Sequence, residues 1–267
     1  EREWPALTPA VSVAIVGLMK VIVTGGAGFI GSHLVDRLIS KGNEVVVVDN
    51  LSTGKKENLA PGAVFYEQDI LDPALRGIFE KEKPDIVFHF AAQASVTRSV
   101  QDPIEDAHVN VLGSLRVYEE ARRQGVKKFV FASTGGALYG EDGRLPASES
   151  DEPNPHSPYA VSKLTVERYL EVLFPVYHVP YTILRFANVY GPRQDPYGEA
   201  GVVAIFADRI RRGEQPFIHG DGGQTRDFLY VGDAVKASAE ALKKEARGVY
   251  HIGTGKETSI SKLFRVV

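Results

Sequence analysis

The run Lys20-Val-Ile-Val-Thr24, followed at once by Gly25-Gly-Ala-Gly-Phe-Ile-Gly31, constrains this chain more than any other stretch. A short β-branched strand ends in a cluster of glycines, and from Phe29 to Ser40 the apolar positions 30, 34, 35, 38 and 39 recur at helical spacing. Strand, tight turn and helix in that order aim the unpaired N–H groups and the positive dipole end of the helix at the turn, where a pyrophosphate is well held. Gly26, Gly28 and Gly31 supply the G-x-G-x-x-G spacing that lets backbone approach such a ligand.

Asp49 follows Gly31 by eighteen residues, at the end of the apolar run Val45 to Val48. A carboxylate there accepts hydrogen bonds from an adenosine ribose diol and repels a 2′-phosphate. Asn50 and Leu51 offer no guanidinium to hold one, so the reading is NAD rather than NADP, with Lys55 and Lys56 taken as a solvated loop.

Further apolar runs at Ile86 to Phe88 and Lys128 to Phe131 read as strands buried on both faces, and Pro103 to Gln124 reads as helix between them. Strands alternating with helices require parallel pairing, so the fold class expected is α/β, a doubly wound parallel (Rossmann) sheet. The segment 141–158, with prolines at 146, 153, 155 and 158, reads as an ordered loop, and a helix starts near Ser157. After the strand Tyr181 to Phe186 the chain turns glycine-rich, as expected of a small cap holding one helix at Gly201 to Arg212. Asp233 to Lys244 reads as helix and Gly248 to Ile252 as the last strand. The expected division is 1–18 as an N-terminal extension, 19–187 as the NAD-binding domain with 228–254 returning to it, and 188–227 with 255–267 as a partial cap.

Composition matters here for what it excludes. With 43% apolar and 24% charged residues the chain is an ordinary globule, and a net charge of −3 argues against a nucleic-acid surface. The absence of cysteine removes disulfides, thiolate metal sites and thiol nucleophiles; no metal is expected. Val11 to Leu18 is apolar but flanked by Glu1, Arg2 and Glu3, and falls short of the roughly 20 residues that span a bilayer, so neither export nor membrane residence is expected. Met19 is the natural start of the folded part, and the default compartment is the cytoplasm.

Tyr159-Ala-Val-Ser-Lys163 sets a phenol and an ammonium four residues apart at the start of a helix, one turn apart on one face. A phenol with pKa near ~10 is a poor base at neutral pH, and a fixed cation beside it stabilises the phenolate.

Together with these, Asp69-Ile70, His89-Phe-Ala-Ala92, Asn110, Ser133-Thr134, Arg185 to Pro192 and Gly220 to Asp227 follow in order. From Met19 to about Phe264 the chain resembles the extended short-chain dehydrogenase/reductase family, and within it the UDP-glucose (UDP-galactose) 4-epimerases. The resemblance implies an NAD-dependent isomerase of galactose metabolism that acts through a 4-keto intermediate. It assigns catalysis to Thr134, Tyr159 and Lys163, with Ser133 adjacent to Thr134 as the other hydroxyl. For the cofactor it implies Gly25, Gly28, Phe29, Ile30, Asp49, Asn50, Asp69, Ile70, Phe90, Ala91, Ala92, Asn110, Tyr159, Lys163 and Phe186. For a UDP-sugar substrate it implies Thr134, Asn188, Val202, Arg226 and His219, with Arg193 as a further candidate. A homodimer pairing through Pro103 to Gln124 and Tyr159 to Phe174 also follows from the resemblance.

Within the family, sugar-nucleotide dehydratases carry an acidic pair directly after the threonine, where this chain has Gly135 and Gly136; Glu141 and Asp142 come later, in the loop. Epimerisation is therefore expected over dehydration. His219 stands where relatives carry an aromatic residue beside the uracil. The chain ends at Val267, before the family's Arg-x-Gly-Asp segment, so a truncated cap and a one-sided hold on the nucleotide are expected. Another NAD-dependent nucleotide-sugar or small-alcohol oxidoreductase, and a non-catalytic NAD-binding sensor or inactive truncated homologue, are the competing readings.

Overall fold

A computed structural model of the chain describes residues 18–140, 145–197, 201–218, 220–243 and 245–267. The strands are β1 (Lys20–Thr24), β2 (Glu44–Asp49), β3 (Val64–Glu67), β4 (Ile86–His89), β5 (Lys128–Thr134), β6 (Tyr181–Phe186), β7 (Asn188–Tyr190), β8 (Thr225–Arg226), β9 (Phe228–Tyr230), β10 (Gly248–Ile252) and β11 (Thr258–Ser259). The helices are α1 (Phe29–Ser40), α2 (Leu75–Glu82), α3 (Val96–Gln101), α4 (Pro103–Ala107), α5 (Ser114–Arg123), α6 (Pro158–Tyr177), α7 (Val202–Arg211), α8 (Val231–Glu240) and α9 (Ile260–Val266).

Seven strands form one parallel sheet in the order β10-β6-β5-β4-β1-β2-β3, as the alternation of strands and helices predicts. Successive residues of a strand point to opposite faces, and each face has its own core. Val21, Val23, Val45, Val47, Phe88 and Val130 pack under α1 and α8. Ile22, Val46, Val48, Phe129 and Phe131 pack under α2, α5 and α6. Strand order reverses between β1 and β4, and in open α/β sheets a ligand crevice lies beyond the strand ends at that point. Two further pairs, β7 with β9 and β8 with β11, come from the glycine-rich stretch and the end of the chain.

Three boundaries differ from the sequence reading. The stretch expected as one helix over Pro103 to Gln124 is α4, a π-helical turn over His108–Gly113, and α5. The helix expected over Asp233 to Lys244 is α8, which ends at Glu240, and Lys244 lies outside the described residues. β3 was not foreseen: it is one of the two edge strands, and its four residues Val-Phe-Tyr-Glu lack the continuous apolar run of a strand buried on both faces.

Lys128, the first residue of β5, is 3% exposed; its Nζ donates to the carbonyls of Ala241 and Ala246 at 2.9 and 2.8 Å and also to that of Lys243. Thr182 Oγ1 donates to the same Ala246 carbonyl at 2.6 Å. The turn leading from α8 into β10 is thereby fastened to the middle of the sheet. Among the described residues, no helix is long and apolar enough to cross a membrane.

Candidate active site

The glycine turn sits at the reversal of strand order, and its residues are small for steric reasons. Gly25 has φ +71°, and a β-carbon on it would lie 2.6 Å from Ala91 N, so only glycine lets the turn rest against the 90–91 backbone. A β-carbon on Gly31 would overlap the Gly25 carbonyl oxygen. Gly28 precedes α1, and no side chain caps that helix, whose first turn holds Phe29 and Ile30. These features fit a dinucleotide: close backbone and the N–H groups of a helix start are what a pyrophosphate needs.

Asp49 is buried at the end of β2, where its carboxylate accepts from Ala27 N at 3.0 Å and Leu51 N at 2.8 Å. Each oxygen retains acceptor capacity for a ribose diol. Asn50 donates to Asp69 at 2.7 Å, and Asp69 also accepts from Leu71 N, so Asp49, Asn50, Asp69 and the buried Ile70 gather at the β2 and β3 ends. Lys56 is paired with Glu67 at 2.8 Å. Phe90 packs on Phe186 with ring centres 5.9 Å apart, and Ala91 and Ala92 continue that wall. Asn110, in the π turn, is 1% exposed. Its amide spans the Gln93 backbone, accepting from N at 2.9 Å and donating to O at 2.8 Å, so what Asn110 orders is the backbone of the wall.

His89 closes the base of the crevice. Its Nδ1 meets Thr24 Oγ1 at 2.7 Å and its Nε2 meets Ser114 Oγ at 2.8 Å; Ser114 in turn donates to Asn110 O, which assigns the ring proton to Nε2. Burial, and then the charge of Lys163, push the His89 pKa down to about 3. Against an unfolded value of about 6.5, the unfolded chain binds a proton that the folded one refuses throughout the window between those values. Stability from this group is therefore present above pH 6.5 and is lost as pH falls, by about 2 kcal/mol at pH 5. Urea denaturation at pH 6.5 and pH 5 should show this slope, and His89→Gln should flatten it by about one proton; an unchanged slope would exclude His89 as its source.

On the other side of the crevice, Ser157 caps α6 by accepting from Ala160 N at 3.2 Å, and Pro158 takes the first helical position. The cap fixes Tyr159 and Lys163 on consecutive turns. Lys163 is 4% exposed; its Nζ donates to Ala132 O at 2.9 Å and lies 4.8 Å from the Phe131 ring centre and 5.9 Å from that of Tyr159. Burial pulls its pKa down to about 8, with Asp106 and then Glu167 opposing. Ser133 is buried and donates to Glu167, whereas Thr134, on the other side of the strand, is half-buried at the open end of β5. Of the two hydroxyls, Ser133 is committed to the interior.

The substrate candidates split. Asn188 and Arg226 come together, because Asn188 N donates to Asp227 O at 2.9 Å and β7 runs beside β9. The Asn188 amide lies beside Gly136, 3.5 Å from where a β-carbon would stand. Arg226 is exposed and donates to its own neighbour's carbonyl, Thr225 O, at 2.8 Å. Val202 opens α7. Arg193 is not directed at this group: it pairs with Asp36 of α1 at 2.8 Å. His219, Glu141 and Asp142 lie outside the described residues.

Sequence reasoning missed the polar residues behind the site: the buried Asp106, Gln93, Glu167 and Tyr139, and the half-buried His251. The Glu167 carboxylate carries the Arg185 guanidinium, with Nη2 at 2.5 Å. Arg185 Nη1 donates to Tyr139 OH at 2.5 Å, and that hydroxyl meets His251 Nε2 at 2.6 Å. The usable signal was Glu167 one turn after Lys163, a charge on the inward face of α6.

Residues 21–253 match the NAD dependent epimerase/dehydratase family. The chain is 46% identical over 255 residues to UDP-glucose 4-epimerase of Mycolicibacterium smegmatis, covering 93% of this chain and 82% of that one. Among solved structures it is similar to Thermotoga maritima UDP-glucose 4-epimerase with UDP-glucose, at TM-score 0.91 and 54% identity over 93% of this chain and 81% of that chain. It is likewise similar to Thermus thermophilus UDP-glucose 4-epimerase in complex with NAD, at TM-score 0.88 and 49% identity over 92% and 81%.

Proposed function

The chain belongs to the NAD dependent epimerase/dehydratase family, and from that premise we propose that it interconverts UDP-glucose and UDP-galactose by inverting C4 through a 4-keto intermediate. What supports the reading most is the buried Lys163 one turn from Tyr159 at the open end of β5. Its ammonium favours the Tyr159 phenolate, which takes the proton of the sugar 4-hydroxyl, and Thr134 holds that hydroxyl. NAD, when bound, supplies the acceptor and then the donor of the C4 hydrogen. Gly25, Gly28, Phe29 and Ile30 hold its pyrophosphate, Asp49, Asn50, Asp69 and Ile70 its adenosine, and Phe90, Ala91, Ala92 and Phe186 its remaining wall, while Asn110 fixes the wall from behind. Asn188, Val202 and Arg226 anchor the nucleotide half of the substrate while the sugar turns over, and the Arg226 fork suits a diphosphate. Residues 19–187, with 228–254 returning to the sheet, form the NAD-binding part, and 188–227 with 255–267 the cap.

Gly135 and Gly136 leave no acid beside the threonine to protonate a leaving hydroxyl, which favours epimerisation over dehydration. The assembly we propose is a homodimer through α4, the π turn and α6, where Ile104, Leu112, Val161, Val172 and Val176 are exposed at 50% or more. An apolar stripe of that extent is the mark of an interaction surface.

Incubating the purified protein with UDP-galactose and separating the products by chromatography should yield UDP-glucose with no net NADH. The denatured protein should release NAD(H), and light scattering of the same preparation should give twice the chain mass. Net NADH would indicate an oxidoreductase, and bound NAD without conversion would indicate a non-catalytic NAD-binding protein.

A further inference from the structure

Asp106, on the short helix α4, is 1% exposed and is met by hydrogen-bond donors on both oxygens. Gln93 Nε2 and Asn110 Nδ2 each donate to Oδ1 at 2.9 Å, and Ser162 Oγ donates to Oδ2 at 2.6 Å. All three donors are neutral. Glu167, the other carboxylate buried near the site, is different, because the Arg185 guanidinium lies against it. A buried carboxylate needs donors on its oxygens whether they are neutral or cationic, and those of Asp106 are neutral.

Its placement shows what the charge acts on. Ser162 immediately precedes Lys163, so the Asp106 carboxylate is tied to the helical turn that carries the buried ammonium. The groups facing Lys163 are Asp106 from α4, Glu167 and Tyr159 from α6 itself, and His89 from β4. Glu167 is offset by Arg185 from β6, and His89 is neutral above its depressed pKa. That leaves Asp106 as the net negative charge opposing the desolvation of Lys163, in line with its place ahead of Glu167 among the influences that hold that amine up.

We propose that Asp106 is a positioning residue that keeps the Lys163 amine protonated, acting as its buried counter-charge across the Ser162 hydrogen bond. The inference rests on the epimerase reading for its catalytic consequence, since the ammonium is what makes the Tyr159 phenolate accessible. Removing the carboxylate would let Lys163 lose its proton at lower pH, so the alkaline limb of turnover moves down while UDP-galactose KM holds. A purely structural role, fastening Gln93 and Asn110 to α6, would lower kcat at every pH without moving either limb.

The neighbouring amide allows a charge exchange. Gln93 Nε2 touches Asp106 Oδ1, so Gln93→Glu combined with Asp106→Asn returns one negative charge to the same spot with donor and acceptor reversed. The readout is the Lys163 side-chain resonance in NAD-loaded protein labelled with carbon-13 lysine, identified by its loss in Lys163→Arg and followed against pH. Asp106→Asn should lower its titration midpoint by about one pH unit, the lower end of what a close charge does, and the exchanged pair should recover most of that shift. Should Asp106→Asn not fold, Asp106→Ser carries the same test. A midpoint that does not move, or one that moves and is not recovered by the exchange, overturns the proposal. If the midpoint behaves as expected in a protein that converts no UDP-galactose, the epimerase reading fails and the charge coupling stands.

Discussion

Tyr159→Phe should lower UDP-galactose turnover by about 100-fold or more, the usual loss when a positioned general base is removed. The ring stays, so the α6 start, its Ser157 cap and the Lys163 environment are preserved, and only the proton acceptor is gone. NAD content should change little, because the glycine turn and Asp49 lie across the crevice on β1, α1 and β2. Steady-state assay beside cofactor release from the denatured protein separates the two effects. Wild-type turnover in the Phe variant would mean that another group takes the proton; lost turnover together with lost NAD would mean that the ring is a structural part of the cofactor site.

Glu167→Ala should destabilise the fold by about 3–5 kcal/mol, the cost of leaving one member of a buried pair without its partner. The carboxylate is 0% exposed and the guanidinium 4%, with both Oε atoms 3.1 Å from Arg185 Nε, so no solvent is at hand to take over the lost contacts. Ser133 loses its acceptor as well. A typical domain is stable by only about 5–15 kcal/mol, so the urea midpoint should fall sharply. Glu171→Ala is the internal control: the Arg168 and Glu171 side chains of that pair are 57% and 33% exposed, and such a surface pair contributes about 0–1 kcal/mol. Similar midpoint changes in both variants would show that solvent reaches Glu167.

The legible part of this fold is the part whose signal is local. β1, β2, β4, β5 and β6 are short β-branched or aromatic runs inside a sheet covered on both faces, and continuous apolar runs of strand length bounded by turn residues mark them. β3 escaped because it is four residues long and one of them is a glutamate, too short a run to stand out. The break inside Pro103 to Gln124 escaped for another reason: Asp106 and Asn110 lie four apart, at good helical spacing, and what marks the π turn is the reach of Asn110 to the Gln93 backbone, seventeen residues away. The same holds for the site. Tyr159 and Lys163 stand out only beside the upstream glycine turn, and that turn stands out by its strand–helix context. Asp106, Glu167 and Arg185 are ordinary helix and strand charges until partners distant in sequence are known.

The grip of Lys128 on the 241–246 turn bears on the order in which the molecule is made. Its ammonium leaves the ribosome 113 to 118 residues ahead of the three carbonyls that will hold it. Throughout that interval the first residue of β5 stays wet, because the three carbonyls, and the Glu245 carboxylate whose charge favours its ammonium, are still to come and an unpartnered ammonium is not buried. A nascent chain that ends after β6 therefore has every residue proposed to hold the cofactor in sequence but an unsealed edge, and the sheet is completed only when β10 arrives. Synthesis of the proposed cofactor site and closure of the core beside it are thus separate events, with the second timed by the 241–252 segment.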